Sequence, residues 1–417
     1  MNKNFANTLQ EELRRIDLVG STKREEIVID GFTKDPSPKA LIKNKKYLIF
    51  NSNDYLSLRF NKDVIISEHK AADKFGAGPG AVRFISGTLK IYKELERMIA
   101  DFHGREDAMI FSSAFAANVA VMSCLLKGQS KDSLLSNEVC VVSDSLNHRS
   151  IIDGIRAASI EKEQKFIYKH LDFDDLRKVL KEIQSKFKRA VVVSDGIFSM
   201  IGESADIKQL RSVCVEFDKD YEQGVFLVID DSHGVGAYGD KGRGCEEKSK
   251  ARADALVGTF GKAFGSDGGY VVGDKIFIDY LRESAATYIY SNSISPSVAG
   301  AALQSVKIVS SAKGNSLFKK LQDNMRYLKQ QMHKEGLQFA AQSDHPIQPL
   351  LVGDTMKAKQ LKDMLFKEGI IVTNITYPVV PKGKDEIRIQ INASHTKKDI
   401  DQLVKTTTRY AKVLGIL

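Results

Sequence analysis

From residue 108 to residue 273, short apolar and β-branched runs alternate with stretches of helical periodicity. The runs are Ala108-Met-Ile-Phe111, Val139-Cys-Val-Val-Ser143, Ala190-Val-Val-Val-Ser194, Val225-Phe-Leu-Val-Ile229 and Tyr270-Val-Val-Gly273. Strands separated by helices predict an α/β fold with a mostly parallel sheet covered by helices. The central runs each end in a polar residue. In such sheets ligands collect beyond the carboxyl ends of the strands, so Asp144, Asp195 and Asp230 are expected at one cleft. A helix-capping role for some of these acids is the alternative, and for Asp144 the two readings stay open. After Ser293-Ile-Ser-Pro296 the pattern is helical for a long stretch, then β-rich around Ile347–Val352 and Glu386–Ile391. Before residue 50 it is polar, with Lys43-Asn-Lys-Lys46 leading into Tyr47-Leu-Ile-Phe-Asn51. There is no internal repeat and no low-complexity tract.

Length and composition narrow this picture. A chain of 417 residues exceeds one small core and suggests a large domain with a smaller one. Apolar and charged contents of 42% and 28% are those of an ordinary globular protein, which excludes extensive disorder. No apolar run approaches the roughly 20 residues that cross a bilayer. The start, Met1-Asn-Lys-Asn-Phe5, lacks the apolar centre of a secretory signal, so a cytoplasmic location is expected. Cys124, Cys140, Cys214 and Cys245 are scattered, which points to buried thiols and to neither a disulfide framework nor a metal site. The net charge of +9 is spread over segments such as Lys178–Arg189, where bases alternate with acids. That pattern fits solvated helix faces better than a nucleic-acid site, and a basic rim for phosphate-bearing substrates stays open.

One short segment carries chemistry. Gly258-Thr-Phe-Gly-Lys262-Ala-Phe-Gly265 places a lysine between glycines at a strand end, where an amine can approach an aldehyde without steric interference. Pyridoxal phosphate is the aldehyde that suits it. Upstream, Asp230 ends the run Val225–Ile229, where a carboxylate can pair with the pyridinium nitrogen and make the ring an electron sink.

With these motifs and Ser52-Asn-Asp-Tyr-Leu56, Ala81-Val-Arg-Phe-Ile-Ser-Gly-Thr88, Ser143-Asp-Ser-Leu-Asn-His148, Ser194-Asp-Gly-Ile-Phe-Ser-Met200, Asp230-Asp-Ser-His233 and Tyr377-Pro-Val-Val-Pro-Lys-Gly383 in order, the chain resembles the α-oxoamine synthases. These are pyridoxal-phosphate enzymes of fold type I that condense an amino acid with an acyl-CoA. The likeness runs from about Asn51 to about His395. It implies an N-terminal segment, 1–55, that joins the small domain, a large cofactor domain over 56–300, and a C-terminal small domain over 301–417. It also implies a homodimer with shared active sites.

Residue by residue, the resemblance makes Lys262 the cofactor-bound lysine and the base at the substrate Cα, and Asp230 the partner of the pyridinium. His233 matches the histidine near the phenolic oxygen and the acyl carbonyl, and His148 the one stacked over the ring. Ser199 matches the serine on the phenolic oxygen, with Asp195 orienting that network. Ser113, Ala114 and Phe115, at a helix start, supply phosphate donors. Thr259 is expected to add a hydroxyl, and Ser291 and Ser293 to reach the phosphate of the opposite subunit. Asn53 and Arg388 match substrate-side residues, the guanidinium suiting a carboxylate; outside such a motif Arg388 reads as an exposed strand residue. His395 reads as structural. Tyr92, Ile201 and Pro79 depart from the family pattern and leave the acyl-chain or entrance geometry open. The segments Ser143–Gly154, Ser291–Ser293 and Tyr377–Pro381 look most like the members that join glycine to acetyl-CoA. Gly258–Gly265 and Ile347–Asp354 look like 8-amino-7-oxononanoate synthase. An aminotransferase with the same lysine and aspartate, and a cofactor-free basic protein, are the readings from other classes.

Overall fold

The structure, a computed structural model, describes all residues except 19–21, 25 and 378. The motif Tyr377–Gly383 thus has its Pro378 outside the described residues. A helix over Lys3–Leu18 precedes three strands, β1 Gly31–Phe32, β2 Ala40–Ile42 and β3 Lys45–Ile49. Seven strands then build the main sheet: β4 Asp107–Phe111, β5 Val139–Asp144, β6 Lys165–Tyr168, β7 Arg189–Asp195, β8 Val225–Asp230, β9 Ala255–Thr259 and β10 Gly269–Gly273. Their order is β4-β10-β9-β8-β7-β5-β6. β10 runs antiparallel to both its neighbours, and the remaining pairs are parallel.

Burial explains the apolar runs. In β7, Ala190 and Val192 pack into the core on one face and Val191 and Val193 into the core on the other, all inaccessible to solvent. A strand covered on both sides needs no polar alternation. β6 escapes the sequence pattern because it is an edge strand with Lys165 and Ile167 exposed. β9 escapes it because its last residues, Gly258 and Thr259, already read as the lysine turn. Arg189 corrects the solvated reading of its segment: it is buried and donates to the carbonyls of Leu125 and Ser136 at 2.9 and 3.2 Å. The four cysteines are free and buried. Among the described residues no helix is long and apolar enough to cross a membrane.

After helices over Pro296–Val309 and Ala312–Lys334 come β11 Ile347–Leu351, β12 Ile370–Ile371, β13 Thr373–Ile375 and β14 Glu386–Gln390. β11, β14 and β13 form an antiparallel sheet, whereas β12 pairs in parallel with β3. In β14 the period of two sends Ile387 and Ile389 into the core and leaves Glu386, Arg388 and Gln390 on the other face. That face meets the segments that follow β3 and β7: Gln390 donates to Asn53 at 2.6 Å, and Arg388 to the carbonyl of Ser199 at 2.8 Å.

Candidate active site

Beyond the carboxyl ends of β7 and β8 a cleft is lined by Ala114, Phe115, His148, Ser150, Asp195, Ile197, Ser199, Asp230, Ser232, His233 and Lys262. Parallel pairing sets two of its acids side by side, because Asp195 and Asp230 are register partners. Asp230 Oδ2 accepts from Asn118 Nδ2 at 2.5 Å and Oδ1 from the Ser232 amide at 3.0 Å, so its carboxylate is held in one orientation. Asp195 keeps a buried oxygen that has no partner among the described residues. Burial and then the charge of Asp230 push its pKa well above the ordinary carboxylate value.

Lys262 follows β9 in a turn that Thr259 braces. The Thr259 hydroxyl donates to the Gly268 carbonyl at 2.8 Å and accepts from the Gly261 amide at 3.0 Å. Gly265 closes the turn with φ 62°, and a Cβ there would lie 2.2 Å from the Arg59 amide nitrogen, so the approach to that backbone requires glycine. Among the described residues the Lys262 amine has neither hydrogen bond nor ion pair. Burial lowers its pKa to about 8 against the opposing charges of Asp230 and Asp195. A usable fraction of it is therefore unprotonated near neutrality, as an amine that attacks an aldehyde requires.

Two histidines face this amine in defined tautomers. His148 Nδ1 accepts from the Ser150 amide at 3.2 Å and lies 2.7 Å from the Ser150 hydroxyl, which itself accepts from Asn118. The His148 proton is thereby assigned to Nε2, and its exposed side is open to the cleft. Burial, with the charge of Lys262, lowers its pKa despite Asp230. His233 Nδ1 lies 2.8 Å from the Tyr55 hydroxyl. Burial raises the Tyr55 pKa, keeping the phenol protonated, and Gln390 donates to its oxygen at 3.4 Å. Tyr55 therefore donates to Nδ1 and leaves the proton of His233 on Nε2. Burial and the nearby cations hold His233 neutral, well below the usual histidine pKa. Behind it, His345 lies with Nε2 2.9 Å from the His233 carbonyl while its Nδ1 accepts from Ile347 at 3.2 Å.

The phosphate end is a helix start. Ser113 caps the helix Ala114–Leu126 by accepting from the Ala116 amide at 3.1 Å. The amides of Ala114 and Phe115 precede the first intrahelical acceptor and are free for an anion. A Cβ on Gly269 would lie 2.2 Å from the Ala114 nitrogen, so β10 can pass this helix start only as glycine.

The remaining expected residues fall into distinct places. Arg388 uses Nη1 on Ser199, while among the described residues its buried Nε has no partner, which leaves the Nε and Nη2 edge of the fork free. Asn53 sits behind it on Gln390. Ser291 and Ser293 do not line the cleft of their own chain, and the buried Ser293 hydroxyl has no partner among the described residues. Tyr92 fixes that segment by donating to the Ile294 carbonyl at 2.7 Å. Thr259 is a correction in part, since its hydroxyl proton is spent on the turn. For Asp144, whose two readings were open, the structure favours the local one: it accepts from the Leu146 and Leu171 amides at 2.8 and 3.0 Å and pairs with His170, outside the cleft. His395 is structural, its Nε2 3.0 Å from the Ile49 carbonyl. Sequence reasoning missed Asn118, Ser150, Tyr55, His345 and Gln390. Asn118 had a signal, as the one strongly polar residue in Ala114-Phe-Ala-Ala-Asn-Val-Ala-Val-Met122; the others had none beyond lying in or near motifs.

The donor set fits pyridoxal phosphate: a free amine, a braced carboxylate across from it, and open amides at a helix start. Residues 45–406 match the family model described as aminotransferase class I and II. The chain is 35% identical over 421 residues to the 2-amino-3-ketobutyrate coenzyme A ligase of Escherichia coli K12, covering 100% of both chains. The chain belongs to the α-oxoamine synthases of that family. It is also 37% identical over 379 residues to the 8-amino-7-oxononanoate synthase of Thermosipho melanesiensis, covering 90% of this chain and 91% of the relative. The serine palmitoyltransferase of Sphingomonas wittichii superposes with a TM-score of 0.87 at 26% identity, covering 100% of this chain and 99% of that one. An α-oxoamine synthase has the fold-type-I architecture, takes pyridoxal phosphate as cofactor, and is an acyltransferase. This family membership removes the cofactor-free reading of the basic composition.

Proposed function

We propose that the chain condenses glycine with acetyl-CoA to 2-amino-3-oxobutyrate and CoA, or cleaves that product in reverse. The observation that supports the small-acyl reading is the match over the full length of both chains, at 35% identity, to the 2-amino-3-ketobutyrate coenzyme A ligase of Escherichia coli. A two-carbon acyl group needs little apolar contact, whereas each further buried methylene of a longer chain gains about 0.8 kcal/mol from it. The second reading, a longer acyl-CoA with alanine or serine, is favoured by the relatives named 8-amino-7-oxononanoate synthase, whose identity to this chain is as high.

Bound pyridoxal phosphate supplies an electron sink for the negative charge that develops at the amino-acid Cα. Asp230, fixed by Asn118 and Ser232, would hold the ring nitrogen, and the Ala114 and Phe115 amides would hold the phosphate. His148 would pack against the ring and Ser199 would hold its phenolic oxygen. Lys262, with its lowered pKa, would anchor the aldehyde through its amine and serve as the base for the Cα proton. The free edge of Arg388 grips the substrate carboxylate in two hydrogen bonds. His233, neutral and with its proton on Nε2, donates toward the acyl carbonyl oxygen as charge builds there. Ser291 and Ser293 reach the phosphate of a second copy of the chain, so the working unit is a homodimer.

Purified enzyme supplied with glycine, alanine or serine against acetyl-, pimeloyl- or palmitoyl-CoA, followed by free thiol release, tests the substrate. Highest catalytic efficiency with glycine and acetyl-CoA is expected. A steep rise toward pimeloyl or palmitoyl transfers the assignment to the second reading.

A further inference from the structure

His170 lies between two carboxylates that belong to different loops. Its Nδ1 is 2.9 Å from Asp144 Oδ1 and its Nε2 is 3.1 Å from Glu203 Oε2. A neutral imidazole has one N–H and can donate to only one of them, so both contacts together require the imidazolium. Asp144 ends β5 and, through the Leu146 amide, shapes the turn that leads to His148. Glu203 belongs to the segment 196–205, which closes on itself through Gly202 to Phe198 and Phe198 to Glu203 backbone bonds of 2.8 and 2.9 Å. The tip of that segment bears Ser199. The imidazole stands edge-on to Phe198 within it, centroids 4.3 Å apart.

We propose that His170, as the imidazolium, is a positioning residue that ties the His148 turn to the Ser199 loop and so sets the spacing of the two across the cofactor cleft. This rests on the placement of His148 and Ser199 about the cofactor. The ring's surroundings support the charge. Of the charged groups nearby, Asp144 and Glu203 face it, whereas Lys169, beside it in sequence, is directed to Asp175 at 3.9 Å. Burial opposes protonation, yet the hydrogen bonds of Asp144 and Glu203 outweigh it and raise the pKa to about 9. A raised histidine pKa makes the clamp complete below about pH 6.5, the unperturbed value, and removes it as pH rises through about 9.

The test is amide hydrogen exchange, expressed as protection factors for 145–149 and 198–203, together with the Kd for pyridoxal phosphate, from pH 6.5 to 10. Wild-type protein should lose protection in both segments together, with a midpoint near 9. His170→Gln should show the high-pH level of exchange in both segments already at pH 7 and bind the cofactor several-fold more weakly. Glu203→Gln should loosen 198–203 while 145–149 stays near wild type. Wild-type protection of both segments in His170→Gln at pH 7 would overturn the proposal, as would a Glu203→Gln protein whose two segments respond alike. If His170→Gln does not fold, Glu203→Gln decides alone. None of these readouts uses acyl-CoA turnover, so their failure is distinct from a failure of the substrate assignment.

Discussion

Lys262 shows how one side chain acquires its chemistry from its surroundings. Burial outweighs two nearby carboxylates and lowers the ammonium pKa to about 8. The free amine, which is the form that reacts, therefore gains with rising pH. The rate at which apoprotein captures added pyridoxal phosphate should increase through about pH 8 and level off above it; stopped-flow absorbance between pH 6.5 and 9.5 measures this, and a flat profile contradicts the assignment. Lys262→Ala should lower turnover by about a hundred- to ten-thousandfold and abolish the lysine-linked absorbance band. Arg388→Lys keeps the charge and loses the fork. It should raise KM for the amino acid roughly ten- to a hundredfold with a smaller change in kcat, whereas an equal fall of kcat at constant KM would place the arginine away from the substrate. The residues that line the cleft, such as Lys262, Asp230, His148 and His233, were legible because each sits in a short motif that dictates a backbone geometry. Their supports were not: nothing local to Tyr55 or Gln390 says that they meet, because 335 positions separate them.

At the scale of elements, the apolar runs announced five of the seven main strands, and their burial on both faces is the physical reason the signal was strong. β6 was hidden by its exposed edge and β9 by its merging with the lysine turn. The helix Ala114–Leu126 joins fold to chemistry, since its first turn offers amides and its second turn offers Asn118 to Asp230. Asn118→Leu removes that donor while keeping a similar volume. It should reduce turnover without abolishing cofactor binding, and by less than Asp230→Asn, for which a loss of about a hundred- to a thousandfold is expected. Titrating cofactor into both variants and measuring kcat checks the order; equal losses would show that Asn118 does more than orient the carboxylate.

For the whole molecule, the proposed service of Ser291 and Ser293, which do not line their own cleft, to a second copy of the chain would make assembly part of the chemistry. Lys262→Ala and a double alanine change at Ser291 and Ser293 should each be impaired as homodimers, yet recover some activity when co-expressed, because a mixed dimer contains one intact site. Verified heterodimers without recovery would mean that each site is built by one chain.

The pairing of β3 with β12, and of Asn53 and Tyr55 with Gln390, also fixes an order of events during synthesis. The ribosome releases Lys45–Tyr55 early, but their partners emerge more than 300 residues later, so β3 must wait with its β12 edge exposed while the seven-stranded sheet forms behind it. A nascent chain arrested short of β14 can complete that sheet and carry Lys262 and Asp230, yet it has no Gln390 to turn the Tyr55 hydroxyl proton toward His233. The last tenth of translation is therefore when a folded cofactor pocket becomes a catalyst, and until then the unpaired edge of β3 is where a crowded nascent chain is most exposed to joining the wrong partner.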